Sequence, residues 1–452
     1  MSDASHLPVH ATLVRHELNL LQSLRAARQN LLNIIPDVAT RLPVISGKTG
    51  TCWHMIMEPK AIRQVLLEKI DDYPKSLVTK DLLRPAVGDS LLIAEGAHWR
   101  WQRRTAAPVF SHRNVANLAP IMTRAAEAAA DRIAESGPRR AVNLFDEMTR
   151  ATFDVIADVT FSGDGTFDQK AVHHAIDTYV ENAGRLSVLD VLGVPGWVPR
   201  PARVISQSAL ADTRRQADAA IQARMARGPS APPDLLDLLG AGKDPESGRQ
   251  MTVTELRDNL LTFIVAGHET TALTLSWALY LCAFDQDVQD RARAEAQETL
   301  EGGSATGAHV AKMPLIRQIV DEALRLYPPA AIVSRTAQKA DMLCGREVRE
   351  GDTVMIPIYA LHRNARLWKD PDAFRPERFA DRKAIDRYAY LPFGDGPRIC
   401  IGASFALQEA VIILATLLAR FRFVRVPGRD PNPVMIITLR PEGGVWLMAE
   451  PV

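Results

Sequence analysis

The residues with the clearest chemical purpose lie in the run Phe393-Gly394-Asp395-Gly396-Pro397-Arg398-Ile399-Cys400-Ile401-Gly402. One cysteine closes a loop punctuated by glycine and proline, directly ahead of an apolar run over residues 403–420 that reads as a helix. The first turn of a helix presents unpaired backbone N–H groups and the positive end of the helix dipole. A sulfur held there is favoured as the thiolate, the form that binds a metal. The loop's glycines permit a flat ligand to approach the backbone closely. Arg398, two residues before the sulfur, adds a cation suited to a carboxylate. The loop therefore reads as an anionic sulfur ligand beside a flat, acid-bearing cofactor, and haem has those properties. The plainer alternative is a buried structural cysteine in a turn, because free cysteine is among the most buried residue types.

A second chemical group interrupts the longest helical pattern, residues 256–284, at Ala266-Gly267-His268-Glu269-Thr270-Thr271. The Thr270 hydroxyl can bond the carbonyl of Ala266, four residues back, which loosens and bends a helix. Gly267 removes a side chain where a ligand would approach. The result is a groove with an acid and an alcohol side by side, and such a pair can relay protons to a reacting centre. The alternative is a core helix with a satisfied polar patch. His268 reads as structural or solvent-linked, not as a metal ligand.

A third group is charged. Residues 314–327 form a helical pattern closed by Pro328-Pro329, and within it Glu322 and Arg325 lie three apart on one face. If exposed, such a pair contributes little.

The order Phe-x-x-Gly-x-Arg-x-Cys-x-Gly, with every position filled, resembles the haem-ligand signature of the cytochrome P450 family. By that resemblance Cys400 is the axial ligand of haem b (iron protoporphyrin IX) and Phe393 packs on the cysteine side of the ring. The segment around Glu269-Thr270 is similar to the family's oxygen-binding helix. It implies that Ala266 lies above the ring near substrate, that Thr270 holds oxygen and that Glu269 gates protons. Glu322-x-x-Arg325, followed by Pro376-Glu377-Arg378-Phe379, is similar to the family's structural core. There Glu322, Arg325 and Arg378 would form a buried charged triad behind the cysteine segment, and removing one member would cost about 3–5 kcal/mol. Trp99 and Arg103 match the family's Trp-x-x-x-Arg helix and, with Arg335 and Arg398, are the implied propionate ligands. His98 is ambiguous, since some relatives carry histidine where Trp99 aligns. The implied fold is mainly α with a small β part, with haem between a long central helix and the helix after the cysteine loop.

The elements that must position these groups are legible in outline. Residues 98–110, 114–135 and 145–161 have helical patterns, Pro59 opens another over 60–68, and residues 73–96 read as loop. The small β part is expected mainly at 30–60 and 330–360, with further strands at the C-terminus. Length alone suggests about three domains. No long linker or repeat appears, so residues 1–452 are read as a single domain.

Composition excludes several classes. Hydrophobic residues are 47%, charged residues 24%, and the net charge is +1, so neither nucleic acid nor an anionic membrane is implied as a partner. Cys52, Cys282, Cys344 and Cys400 form no close pair, which suits a reducing cytoplasm. The first 29 residues are broken by charges and histidines, so no signal peptide or integral membrane anchor is expected. In this the chain resembles soluble, bacterial-type family members.

The resemblance places substrate contacts near 73–92, 179–198, 263–271, 330–334 and 433–438, with the haem as floor. These stretches are mainly apolar (Leu77, Val78, Leu91, Leu92, Leu186, Val188, Leu189, Phe263, Ala330, Ile332, Val333, Ile436, Ile437), which implies a hydrophobic small organic substrate. Residues 194–198, with Trp197, read as a mobile lid, with contact to a membrane as the alternative. No flavin or iron–sulfur pattern follows residue 402. Electrons are therefore expected from a separate donor, a ferredoxin with its reductase or a flavoprotein, with O2 as co-substrate. Arg100, Arg104, Lys312 and Arg317 form a candidate docking face, with a solvated charged surface as the default. Two other readings remain open: a peroxide-driven haem-thiolate enzyme, against which Glu269-Thr270 counts, and a haem-binding sensor or carrier, in which a proton relay has no purpose.

Overall fold

The computed structural model describes residues 7–16, 18–49, 51–137, 140–161, 175, 201–231 and 233–452. The described chain is mainly helical with small β-sheets. Contacts divide it into two compact units. One comprises Met1–Pro74, Met122–Ala151 and Thr270–Val452, the other Lys75–Ile121 and Thr152–Glu269. We call them the cysteine unit and the tryptophan unit.

The long helix runs from Val253 to Phe284 and gives its first half to the tryptophan unit and its second to the cysteine unit. It begins three residues before its apolar pattern because Thr252 and Glu255 cap it reciprocally. Glu255 N–H donates to Thr252 Oγ1 at 3.3 Å, and the Glu255 carboxylate accepts from Thr252 N–H at 3.0 Å. The helix stays α-helical through the polar segment Ala266–Thr271.

Within the cysteine unit, Pro314–Leu326 forms a helix with proline in its first turn, as its sequence signals, and Ala403–Arg420 forms another. The second is long and apolar enough to cross a membrane, but 61% of that stretch is buried inside the fold, as for a core helix. Trp277 of the long helix stacks on Tyr327 with ring centroids 3.9 Å apart, and the Tyr327 hydroxyl donates to the Val9 carbonyl at 2.6 Å.

A four-stranded sheet in this unit runs in the order Val44–Thr49, Thr51–Ile56, Thr353–Ile356, Val333–Thr336. The middle pair is parallel (Trp53 opposite Thr353) and the outer pairs are antiparallel, so that Arg335 faces Val354 across the last ladder. Residues 30–43 were expected in the β part. They instead contribute two 3-10 turns: Leu31–Ile34, where the Asn30 side chain accepts the Leu32 N–H and turns the chain, and Asp37–Thr40, which follows Pro36. Phe421–Arg425, Trp446–Pro451 and Ala141–Asn143 form a second sheet, and Asn432–Met435 pairs with Leu439–Glu442 in a hairpin.

In the tryptophan unit, Gly96–Ala106 is helical and continues as a 3-10 turn through Phe110. Leu77–Val87, read as loop from sequence, is also a helix. The Ser76 hydroxyl caps it by accepting the Thr79 N–H at 3.3 Å, and Gly88 ends it at φ 60°. A Cβ at Gly88 would run into the Asp258 carboxylate. Pro85 inside the last turn had masked the helical signal.

Candidate active site

In the cysteine unit, Cys400 is exposed, between a mostly half-buried loop and a helix that is buried from Glu409 to Leu418. The loop is held by its own backbone. The Cys400 N–H donates to the Phe393 carbonyl at 2.9 Å, and the Gly394 N–H to the Leu391 carbonyl at 3.1 Å. Gly394 and Gly396 take φ 68° and 72°, which favours glycine. At Gly396 a Cβ would strike the Leu66 carbonyl, whereas beside Gly394 and Gly402 a Cβ would meet nothing within 4 Å. Asp395, 6% exposed, accepts from Arg387 Nε at 2.5 Å and from the Gly396 N–H. One side of the loop is thus anchored to protein while open space borders its glycines. Phe393 and Arg398 are half-buried in this loop. Arg335, 7% exposed in the sheet, donates from Nη1 to the Ser334 carbonyl at 3.0 Å.

Behind the loop, both oxygens of Glu322 receive Arg325, from Nε at 2.7 Å and Nη2 at 2.8 Å. Arg378 Nε adds a bond at 3.0 Å and the Arg375 N–H one at 2.9 Å. Arg325 also donates to the carbonyls of His362, Pro371 and Ala373. Glu322 and Arg325 side chains are fully buried, so the pair is not the weak exposed kind that spacing alone describes. Its donors are satisfied by the irregular segment around 362–378, and the clamp joins elements 37 to 56 residues apart.

Thr270 is half-buried and its carbonyl accepts the Thr274 hydroxyl at 2.8 Å. The next residue, Thr271, hydrogen-bonds Glu409 of the Ala403–Arg420 helix. Glu409 is 1% exposed, and its Oε1 has no hydrogen-bond partner among the described residues. Burial pushes its carboxyl pKa well above the ordinary 4.5, only partly opposed by the Thr271 bond. Sequence reasoning did not single out Glu409. Its signal is that it is the only charged residue between Ala403 and Ala419.

Two expected substrate stretches meet in this unit. The Leu439 N–H donates to the Pro329 carbonyl at 3.0 Å, which sets the half-buried Ile436 and Ile437 turn beside the chain leading to Ile332 and Val333.

In the tryptophan unit, Trp99 is 8% exposed and Arg103 lies one turn further along the same helix. His98 is engaged within its helix, with Nδ1 receiving Trp101 Nε1 at 3.2 Å and Nε2 at 2.8 Å from Gln102 Nε2. Ala266 is the one exposed residue of the long helix between Leu256 and Ala283. A Cβ at Gly267 would touch Ile156 at 3.4 Å. Glu269 is 6% exposed. His268 is buried, its Nδ1 bonding the Ile264 carbonyl at 2.7 Å and its own carbonyl accepting the Thr152 hydroxyl at 2.8 Å. That is the structural role expected for it.

Other expected residues are placed differently. Leu91 and Phe263 are buried in the core, while Leu77 and Val78 are exposed. Of the proposed docking cations, Arg104 is bidentate to Asp244 at 2.7 and 3.0 Å and Arg317 is bound to Asp321 at 3.0 Å, while Arg100 and Lys312 are exposed. Leu186, Val188, Leu189 and the 194–198 lid lie outside the described residues.

The donor set fits haem on the structure's own terms. It offers an exposed thiol before a helix N-terminus, open space at the flanking glycines and arginines suited to acid groups. Among the described residues no His/Cys/Asp/Glu cluster suited to a bare metal ion occurs.

Comparison with known proteins agrees with this chemistry. The family model described as "Cytochrome P450" matches residues 18–448. Cyclooctatin synthase of Streptomyces melanosporofaciens is 33% identical over 86% of this chain and 84% of its own. Cyclooctat-9-en-7-ol 5-monooxygenase from the same organism is 33% identical, over 83% and 81%. The crystal structure of the cytochrome P450DA heme domain superposes with a TM-score of 0.81 at 26% identity, over 91% of this chain and 90% of that one.

Proposed function

Since the chain belongs to the cytochrome P450 family and is a haem b-dependent monooxygenase, we propose that it oxygenates a hydrophobic small organic molecule with electrons from a separate protein. When bound, haem supplies the oxygen-activating redox chemistry. The observation that carries the site assignment is the exposed Cys400 thiol on a loop whose backbone is otherwise internally bonded. In this reading Cys400 would supply the thiolate that holds the haem, and Trp99, Arg103, Arg335 and Arg398 would hold its propionates. Phe393 packs beside the sulfur and Ala266 borders the substrate. Thr270 holds and passes a proton at its hydroxyl, and Glu269, nearly shielded from solvent, gates proton entry. The apolar side chains of Ile332, Val333, Ile436 and Ile437 support a hydrophobic substrate. The donor is a ferredoxin with its reductase or a flavoprotein. A cytoplasmic setting is part of the reading, supported by four unbridged cysteines.

Reduced protein exposed to CO should show the strongly red-shifted Soret band of a thiolate ligand, and Cys400→His should lose it; a globin-like band in the parent protein would sink the assignment. Thr270→Ala should bind haem normally yet divert reducing equivalents to peroxide, lowering product formed per NAD(P)H by up to about 10²-fold, the low end of what one general acid–base group contributes. Unchanged coupling would remove Thr270 from the relay.

A further inference from the structure

His362 follows the short helix Ile358–Leu361 and is fully buried. Both ring nitrogens are engaged by backbone. The Leu391 N–H donates to Nε2 at 2.9 Å, and Nδ1 lies 3.1 Å from the Arg325 carbonyl. A backbone N–H can only donate and a carbonyl can only accept. The partners therefore require a bare Nε2 and a protonated Nδ1, which is one tautomer of the neutral imidazole. The ring also lies along Tyr390, with centroids 5.2 Å apart and planes 29° apart, and the Tyr390 hydroxyl donates to the Asp321 carbonyl at 2.7 Å.

The two backbone partners give this geometry its meaning. Arg325 is the centre of the charged clamp, and its Nη1 also donates to the His362 carbonyl at 2.8 Å. Leu391 begins the cysteine loop. Its carbonyl receives the Gly394 N–H, and the Phe393 carbonyl receives the Cys400 N–H. A short series of backbone bonds thus runs from the His362 ring to the residue that carries the sulfur.

We propose that His362 is a positioning residue for the cysteine ligand: as neutral imidazole it ties the charged clamp to the loop that ends in Cys400, and on protonation it releases that tie. The proposal rests on the haem-thiolate reading above. Protonated Nε2 would present an N–H to the Leu391 N–H, so the acceptor becomes a second donor and the bond is lost. The charged and titratable groups around the ring are Arg325 with its partner Glu322, Arg363 with its partner Asp372, and Tyr390 with Asp321. Burial, then the Arg325 and Arg363 guanidinium groups, push the imidazole well below its usual 6.5. A group whose folded pKa is depressed contributes stability fully present above its unfolded pKa and lost as pH falls towards the folded value. Loosening of the loop is therefore an acid-side event.

The test uses the haem-loaded full chain. Thiolate ligation is read by the reduced-CO band from about pH 8 to about pH 4, and amide exchange across residues 386–394 is followed by mass spectrometry. The wild type should lose the thiolate band in a one-proton step on acidification. His362→Phe keeps the ring beside Tyr390 but removes both nitrogen bonds. It should show several-fold faster exchange at 390–394 and a several-fold smaller thiolate fraction at neutral pH. His362→Gln can still accept from Leu391 and does not titrate. It should hold ligation at neutral pH and move the acid step to lower pH. Phe423→Leu, in a separate strand, is the control for lost stability alone and should change neither readout. Wild-type ligation and exchange in His362→Phe, or a wild-type acid curve in His362→Gln, would overturn the proposal. If His362→Phe fails to fold, the His362→Gln curve decides. Absence of the thiolate band in the wild type at neutral pH would overturn the haem-thiolate reading and this proposal with it, whereas a normal wild-type band with an unmoved His362→Gln curve would overturn this proposal alone.

Discussion

Glu322 and Glu409 belong to the same unit, sit on helices and are each within one per cent of complete burial, yet their surroundings are opposite. Glu322 receives two guanidinium groups and a backbone N–H; Arg325 lies on its own helix, while Arg375 and Arg378 belong to the segment leading to the cysteine loop. Glu409 has the Thr271 hydroxyl and an unpartnered Oε1, and its carboxyl is pushed towards the neutral form. Removing a carboxylate from water is costly unless cations and donors replace the hydration. At Glu322 they do, and the result is a structural lock. At Glu409 they do not, and burial shifts the acid towards its neutral form. Burial alone does not decide what an acidic side chain does; the partner set decides.

The strongest way to break this contrast is Arg325→Ala. It removes the bidentate partner of Glu322 and the donor to the His362 and Pro371 carbonyls, and should cost about 3–5 kcal/mol and lose haem and soluble protein. A stable haem-loaded variant, judged by its melting temperature and CO band, would show the clamp to be dispensable. Arg378→Ala leaves the Arg325 pair in place and removes a residue 13% exposed, so a loss of about 1.5–3 kcal/mol is expected from denaturant unfolding. Equal effects of the two substitutions would mean that the three residues act as one unit.

The smallest effect has the opposite sign. A carboxyl whose folded pKa is raised contributes stability fully present below its unfolded value and lost as pH rises towards the folded value. Glu409→Gln, which cannot ionise, should match the parent protein below about pH 4.5 and gain stability over it progressively as pH rises towards neutral, read from denaturant unfolding at each pH. A stability difference that ignores pH would show that Glu409 is ionised in the folded protein.

The clamp was legible because its members lie in short motifs, Glu322 with Arg325 at helical spacing and Arg378 in Pro376-Glu377-Arg378-Phe379. Glu409 left a weaker trace, a lone charge in an apolar helix. His362 left none, since its partners stand 37 and 29 residues away and are backbone atoms, which carry no sequence identity. The Leu77–Val87 helix was hidden by Pro85, and the turn at Leu31–Ile34 by the Asn30 side-chain cap, which competes with strand pairing.

The amino-acid sequence by itself determined the cofactor chemistry and the main helices. A thiol before an apolar helix, an acid–alcohol pair within another and helical periodicity are all local patterns. Only the tertiary structure decided which charges are buried, which are paired and which side chains remain open. Those properties depend on desolvation and on partners brought together from distant parts of the chain. Arg104, by sequence a solvated charge or at most a candidate docking cation, is paired with Asp244, while Ala266, unremarkable by type, is the open position on a buried helix.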